Sequence, residues 1–72
     1  MRIKIALDTY HSAVALATIA AKLDSKITIT DGNGLRANAK SVIGVLSATE
    51  YGELWLESDD DHYFAFKQFS ME

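Results

Sequence analysis

"SKITITDGNGLRANAK", residues 25–40, decides how the chain folds. Ile27 and Ile29 alternate with Thr28 and Thr30, the period-two pattern of a strand with one buried face. "DGNG" at 31–34 then supplies residues that accept positive φ. Beyond it Leu35, Ala37 and Ala39 alternate with Arg36, Asn38 and Lys40. Two alternating runs around a glycine-rich turn are a β-hairpin.

Upstream, "RIKIALD" at 2–8 places Ile3, Ile5 and Leu7 on one side and Arg2, Lys4 and Ala6 on the other, a half-buried strand. "DTYHSAVALATIAAKL" at 8–23 follows, with a helix starting at about Thr9 or Ser12 and running to Leu23. Leu16, Ile19, Ala20 and Leu23 form its apolar stripe, and alanine fills much of the rest, allowing close approach to a sheet. Downstream, Ser41 caps a short helix, "SVIGVLSAT", in which Val42, Val45 and Leu46 have helical spacing. Gly44 inside it costs about 1 kcal/mol against alanine, so another interaction must favour the segment. "ELWLES" at 53–58 is a fourth strand with Leu54 and Leu56 inward and Trp55 outward. The last segment, "HYFAFKQF", is assigned as a short helix on His62, Phe66 and Phe69; Tyr63 to Phe66 also suits a strand.

The order strand, helix, strand, strand, helix, strand, helix predicts an α+β open-faced sandwich: a four-stranded antiparallel sheet with three helices on one face. The opposite face stays open to solvent and carries Arg2, Lys4, Thr28, Thr30, Arg36, Asn38, Lys40, Glu53, Trp55 and Glu57. Trp55 is the outlier there; it either sits on Lys4 or another cation or marks a contact with another chain.

Seventy-two residues make one small domain, 1–72, with an ordinary share of apolar and charged residues. Without cysteine there is neither a disulfide framework nor a thiolate metal site, and two histidines are too few for structural zinc, so no metal or cofactor is expected. Net charge is −3 and no basic face is evident, which argues against nucleic acid. Asp8 and His11 interrupt the apolar core a signal peptide would need, and Ala13 to Leu23 is shorter than a membrane span; a soluble, cytoplasmic protein is expected.

The element order, read with "NG…AKSVIGVLS" and "GELWLES", resembles HPr, the histidine-containing phosphocarrier of the bacterial sugar phosphotransferase system. The similarity is best over about Ser25 to Ser58, and the Lys40-Ser41 pair, Val42-Ile43, Gly44 and Val45-Leu46-Ser47 look like the Gram-positive version. The resemblance implies a phosphoryl group carried on a histidine at the start of the first helix. There an imidazole nitrogen attacks phosphorus and free helix amides hold the oxygens. The family motif places glycine before that histidine, arginine two residues after it, then proline. "DTYHSAVA" has the histidine and none of the other three.

Two registers compete. With His11 as the candidate phosphohistidine, Ala13 and Val14 stand where arginine and proline belong, and the helix loses about two residues, turning its remaining face by about 200°. With the helix at full length, Thr9 takes the phosphohistidine's place, His11 the arginine's and Ser12 the proline's, and the deletion falls in the preceding loop. The second register is preferred; Thr9 is then a plain N-cap and ordinary carrier activity is altered or lost. His62, beside three aspartates, reads as an ion-paired surface residue.

The resemblance further implies that Ser41 is a regulatory phosphorylation site for an HPr kinase, with Lys40 as an added phosphate partner, read out by a transcriptional regulator. It also implies docking of enzyme I and sugar permease domains on a surface of Thr9, Ser12, Lys40, Val42, Ile43 and Leu46, with the leading tips of the first two helices side by side. Ile43 and Leu46 are expected to be partly exposed. Two functions follow: a phosphocarrier relay through His11, or a non-carrier regulatory module acting through Ser41 and the second helix. A decoy relative is a third reading, and nothing supports a free-standing enzyme.

Overall fold

A computed structural model describes residues 1–71. Strand β1 (Arg2–Ile5) leads to helix α1 (Tyr10–Ala21), then to the hairpin β2 (Ile27–Thr30) and β3 (Arg36–Asn38). Helix α2 (Val42–Ala48) and a 3-10 turn (Thr49–Tyr51) precede β4 (Leu54–Ser58), and the short α3 (Tyr63–Phe66) continues as a second 3-10 turn (Lys67–Phe69). The strands form one antiparallel sheet in the order β1-β4-β2-β3, so the expected α+β open sandwich is the architecture found. No helix among the described residues is long and apolar enough to cross a membrane.

The hairpin closes through its own side chains. Asp31 Oδ1 accepts the Asn33 and Leu35 amides at 2.8 and 3.0 Å, and Thr30 Oγ1 accepts the Gly32 amide at 3.0 Å. Gly32 and Gly34 take φ of 76° and 116°, which a side chain would strain. The result pairs Thr30 with Arg36.

Register sets the two faces. Ile3, Ile5, Ile27, Ile29, Leu54 and Leu56 turn to the helices and are buried with Val45, Phe66 and Phe69. On α1 the buried stripe is Ala13, Leu16, Ala17 and Ala20, while Ile19 and Leu23 are only half-buried. The stripe is thus displaced from the one expected: small side chains let the helix axis approach the sheet, and the bulkier Ile19 and Leu23 fill its flanks. Helix α1 also ends at Ala21, short of Leu23, with Lys22 as C-cap. The strands are shorter than the alternating patterns suggest, since Leu7 and Ala39 lie just outside β1 and β3.

Across the open face two rows run from strand to strand: Arg2, Glu57, Thr28, Asn38 and Lys4, Trp55, Thr30, Arg36. Thr28 and Thr30 are buried despite facing outward, because β2 is a central strand and the long side chains of β3 and β4 lean over it. Trp55 lies under two cations, Arg2 at 5.1 Å and Lys4 at 5.7 Å from the ring centroid, and against Gly32.

The sheet's outer border is covered in part by the chain's last described residues. Ser70 bridges Ile5, with Ala6 N donating to Phe69 O and Met71 N to Lys4 O, each at 2.9 Å.

Candidate functional site

At the start of α1, Thr9 is extended and its Oγ1 accepts the Ser12 amide at 3.1 Å, while its carbonyl accepts the Ala13 amide at 3.2 Å. Thr9 is therefore the N-cap of α1. The Thr9 and Ser12 hydroxyls are also 3.2 Å apart. His11 falls in the first turn and is exposed, with its ring edge-on to Tyr10 at 6.1 Å. It makes no hydrogen bond or ion pair among the described residues, so nothing fixes its tautomer or aims either nitrogen.

At the start of α2 the chain turns on Asn38, whose Oδ1 accepts the Lys40 amide and whose carbonyl accepts the Ser41 amide. Ser41 Oγ accepts the Gly44 amide at 3.2 Å. A Cβ on Gly44 would stand 3.2 Å from the Asn38 carbonyl oxygen and 3.4 Å from Ser41 Cβ. The glycine's intrinsic helix cost is thus exchanged for a tight β3-to-α2 corner. Lys40 does not add a group beside Ser41: its Nζ donates to the Leu23 carbonyl at 2.6 Å, just past the end of α1.

That bond corrects the expected side-by-side tips. The start of α2 lies at the far end of α1, and the start of α1 lies instead beside the second half of α2. There Leu7, Asp8, Thr9, Tyr10, Leu46 and Thr49 line one shallow recess. The two helices run in opposite directions, so Ser41 and Lys40 are separated from His11 by the length of α1, about 18 Å at 1.5 Å per residue. Of the expected docking residues, Thr9 and Leu46 meet at the recess and Ser12 follows in the same helical turn; Lys40 belongs to the other end.

Between the ends, α2 presents an apolar edge. Ile43 is 78% exposed and Val42 37%, with Leu46 half-buried beside them, as the short helix required. Two further exposed aromatics, Tyr10 and Tyr51, flank the α1 end of the molecule and were not among the residues expected from sequence. Neither belongs to the apolar stripe of its segment, so no periodic pattern in the sequence marks it.

His62 makes no ion pair among the described residues, contrary to the expectation. Its Nε2 bonds Ser25 Oγ at 2.9 Å, and that hydroxyl donates to Asp60, so Ser25 ties the loop after α1 to the segment before α3. With its one proton given to Asp60, the serine receives the bond from the imidazole N–H and is no nucleophile. No group of three or more metal-ligating side chains is found among the described residues. Comparison with family models, with curated proteins and with solved structures yields no match to this chain.

Proposed function

We propose that this chain is an HPr-like regulatory interaction module of the sugar phosphotransferase system that has given up phosphoryl transfer on His11. It works by presenting the Val42–Ile43–Leu46 edge to a partner protein. The observation that carries this reading is Ile43, an aliphatic side chain 78% exposed on a helix whose other face is fully committed to the core through Val45 and Ala48. A bare isoleucine of this kind gains on burial against a partner and gains nothing in the isolated domain. Thr9 at the cap position and the unsupported imidazole of His11 favour the non-carrier form over the relay.

Ser41 as a kinase target belongs to the same reading. Its Oγ is an acceptor for Gly44, and phosphorylation would exchange that bond for one to a phosphate oxygen. With Lys40 engaged at Leu23, the added charge would be answered by backbone amides alone.

The test is phosphoenolpyruvate with enzyme I, followed by intact mass under alkaline and acid conditions. No acid-labile phosphate is expected on the wild-type chain. Labelling that vanishes in His11→Ala would overturn the non-carrier reading and restore the relay. In the same series, enzyme I or a permease domain is titrated into labelled protein; binding should be present in the wild type and lost in Ile43→Asp. Equal binding by Ile43→Asp, or none by the wild type, removes the docking surface. A kinase reaction giving acid-stable phosphate absent from Ser41→Ala would establish the modification.

A further inference from the structure

On the sheet face away from α2 lies a feature that the docking surface does not use. Two adjoining recesses, of about 490 and 520 Å³, meet along Lys26, Thr28 and Arg36, which line both. Each is of a size that takes a small organic ligand.

The floor is Thr28, only 9% exposed, in the central strand. Its hydroxyl makes no hydrogen bond among the described residues, unlike that of Thr30 one row away, which accepts the Gly32 amide. That hydroxyl is not among the fully buried polar atoms, so it opens into the recesses as a free donor and acceptor at their floor. Around it the charges are unbalanced locally. Arg2 and Arg36 share a single carboxylate, Glu57, at 3.1 and 3.7 Å, so each guanidinium keeps most of its N–H groups unused. Lys26 makes no ion pair among the described residues. The acidic groups facing the groove are Glu57, already held by both arginines, and Asp24 and Asp59, one lining each recess and both exposed.

We propose that this groove is a binding site for a tetrahedral oxyanion, inorganic phosphate or the phosphoryl group of a small monoester. Lys26, just before β2, and Arg36, on β3, hold it from two sides, and the Thr28 hydroxyl donates from below. Cations approaching from the residue before β2 and from β3, above a hydroxyl floor, match an anion whose oxygens point in three directions. A carboxylate's acceptor sites all lie in one plane and it carries a single charge, so it meets donors from three directions less well than a tetrahedral phosphate does. The second recess, toward Arg2 and Ser58, accommodates the remainder of a monoester.

The test is a nitrogen-15 amide titration with inorganic phosphate, glycerol 3-phosphate and acetate at constant ionic strength. Saturable shifts are expected with both phosphates at Ile27, Thr28 and Arg36–Asn38, with glycerol 3-phosphate adding shifts at Glu57 and Ser58. Thr28→Val, which keeps the strand and the side-chain shape, and Lys26→Gln, at an exposed position, should each weaken binding about tenfold, as loss of one charge-assisted bond does. Lys22→Gln, which removes the same charge at the end of α1, should leave affinity within twofold. Acetate binding as well as phosphate, or Lys22→Gln matching Lys26→Gln while Thr28→Val binds normally, would overturn the site and leave only diffuse attraction to cations.

Discussion

Lys40 Nζ donates to the Leu23 carbonyl at 2.6 Å, and this contact joins the corner that opens α2 to the end of α1. It satisfies a carbonyl that the helix end leaves without an intrahelical donor, and it places a positive charge at the negative end of α1. Lys40→Met keeps the aliphatic stem and removes the ammonium. The expected loss is about 1 kcal/mol, at the low end for a charged hydrogen bond because the site is only part-buried. Urea denaturation measures it; an unchanged midpoint would mean the contact carries no net stability.

Gly44 makes the opposite kind of prediction. Alanine at an ordinary helix-interior position would stabilise by about 1 kcal/mol. Here the new Cβ meets the Asn38 carbonyl oxygen at 3.2 Å, a backbone atom that cannot swing aside. Gly44→Ala should therefore be no more stable than wild type, and Gly44→Val less stable. A full gain in Gly44→Ala by thermal melt would show that the corner is looser than described.

Thr9→Ala removes the acceptor for the Ser12 amide and should cost about 1 kcal/mol, with Thr9→Asp restoring it. Circular dichroism on denaturation distinguishes the two. Equal stability of all three proteins would argue that α1 begins elsewhere, and would reopen the register that gives His11 the leading role.

Two phenylalanines one turn-half apart should behave as opposites. Phe66 is wholly buried, whereas Phe64 is 84% exposed with Lys67 5.6 Å from its ring centroid. Phe66→Ala should cost about 3–5 kcal/mol. A domain of this size has about 4–10 kcal/mol in all, so much of that variant is unfolded at 37 °C. Phe64→Ala should stay within about 0.5 kcal/mol of wild type.

The hairpin, the four strands and the three helices were legible because each is written in local periodicity: the Ile27/Ile29 and Leu54/Leu56 alternations, the turn glycines and the Ser41 cap. What was not legible depends on contacts distant in sequence. The contact by which Lys40 ties the start of α2 to the end of α1 reaches Leu23, seventeen positions away. Thr28 and Thr30 read as open-face residues, and they are; their burial follows from β2 lying between β3 and β4, a strand order no local pattern specifies. His62 looked electrostatic because of its aspartate neighbours, but its partner is Ser25, thirty-seven residues back. In the candidate site, Thr9 comes from the resemblance, and the exposure of Ile43 and Leu46 from the shortness of a helix that spends one face on the sheet. Tyr10 and Tyr51 were passed over because exposed rings carry no periodic signal.

The pairing of Ser70 with Ile5 has a practical consequence for anyone handling the protein. With residues 69–71 zipped along Lys4–Ala6, the uncovered strand borders among the described residues are the three-residue one at Arg36–Asn38 and the short start of β1 at Arg2–Ile3. Displace those residues, and the border of β1 opens further beside Ile5, which is backed by the core. A chain with two longer open borders can add strands at both ends, so residues that touch neither proposed site guard it against end-to-end stacking.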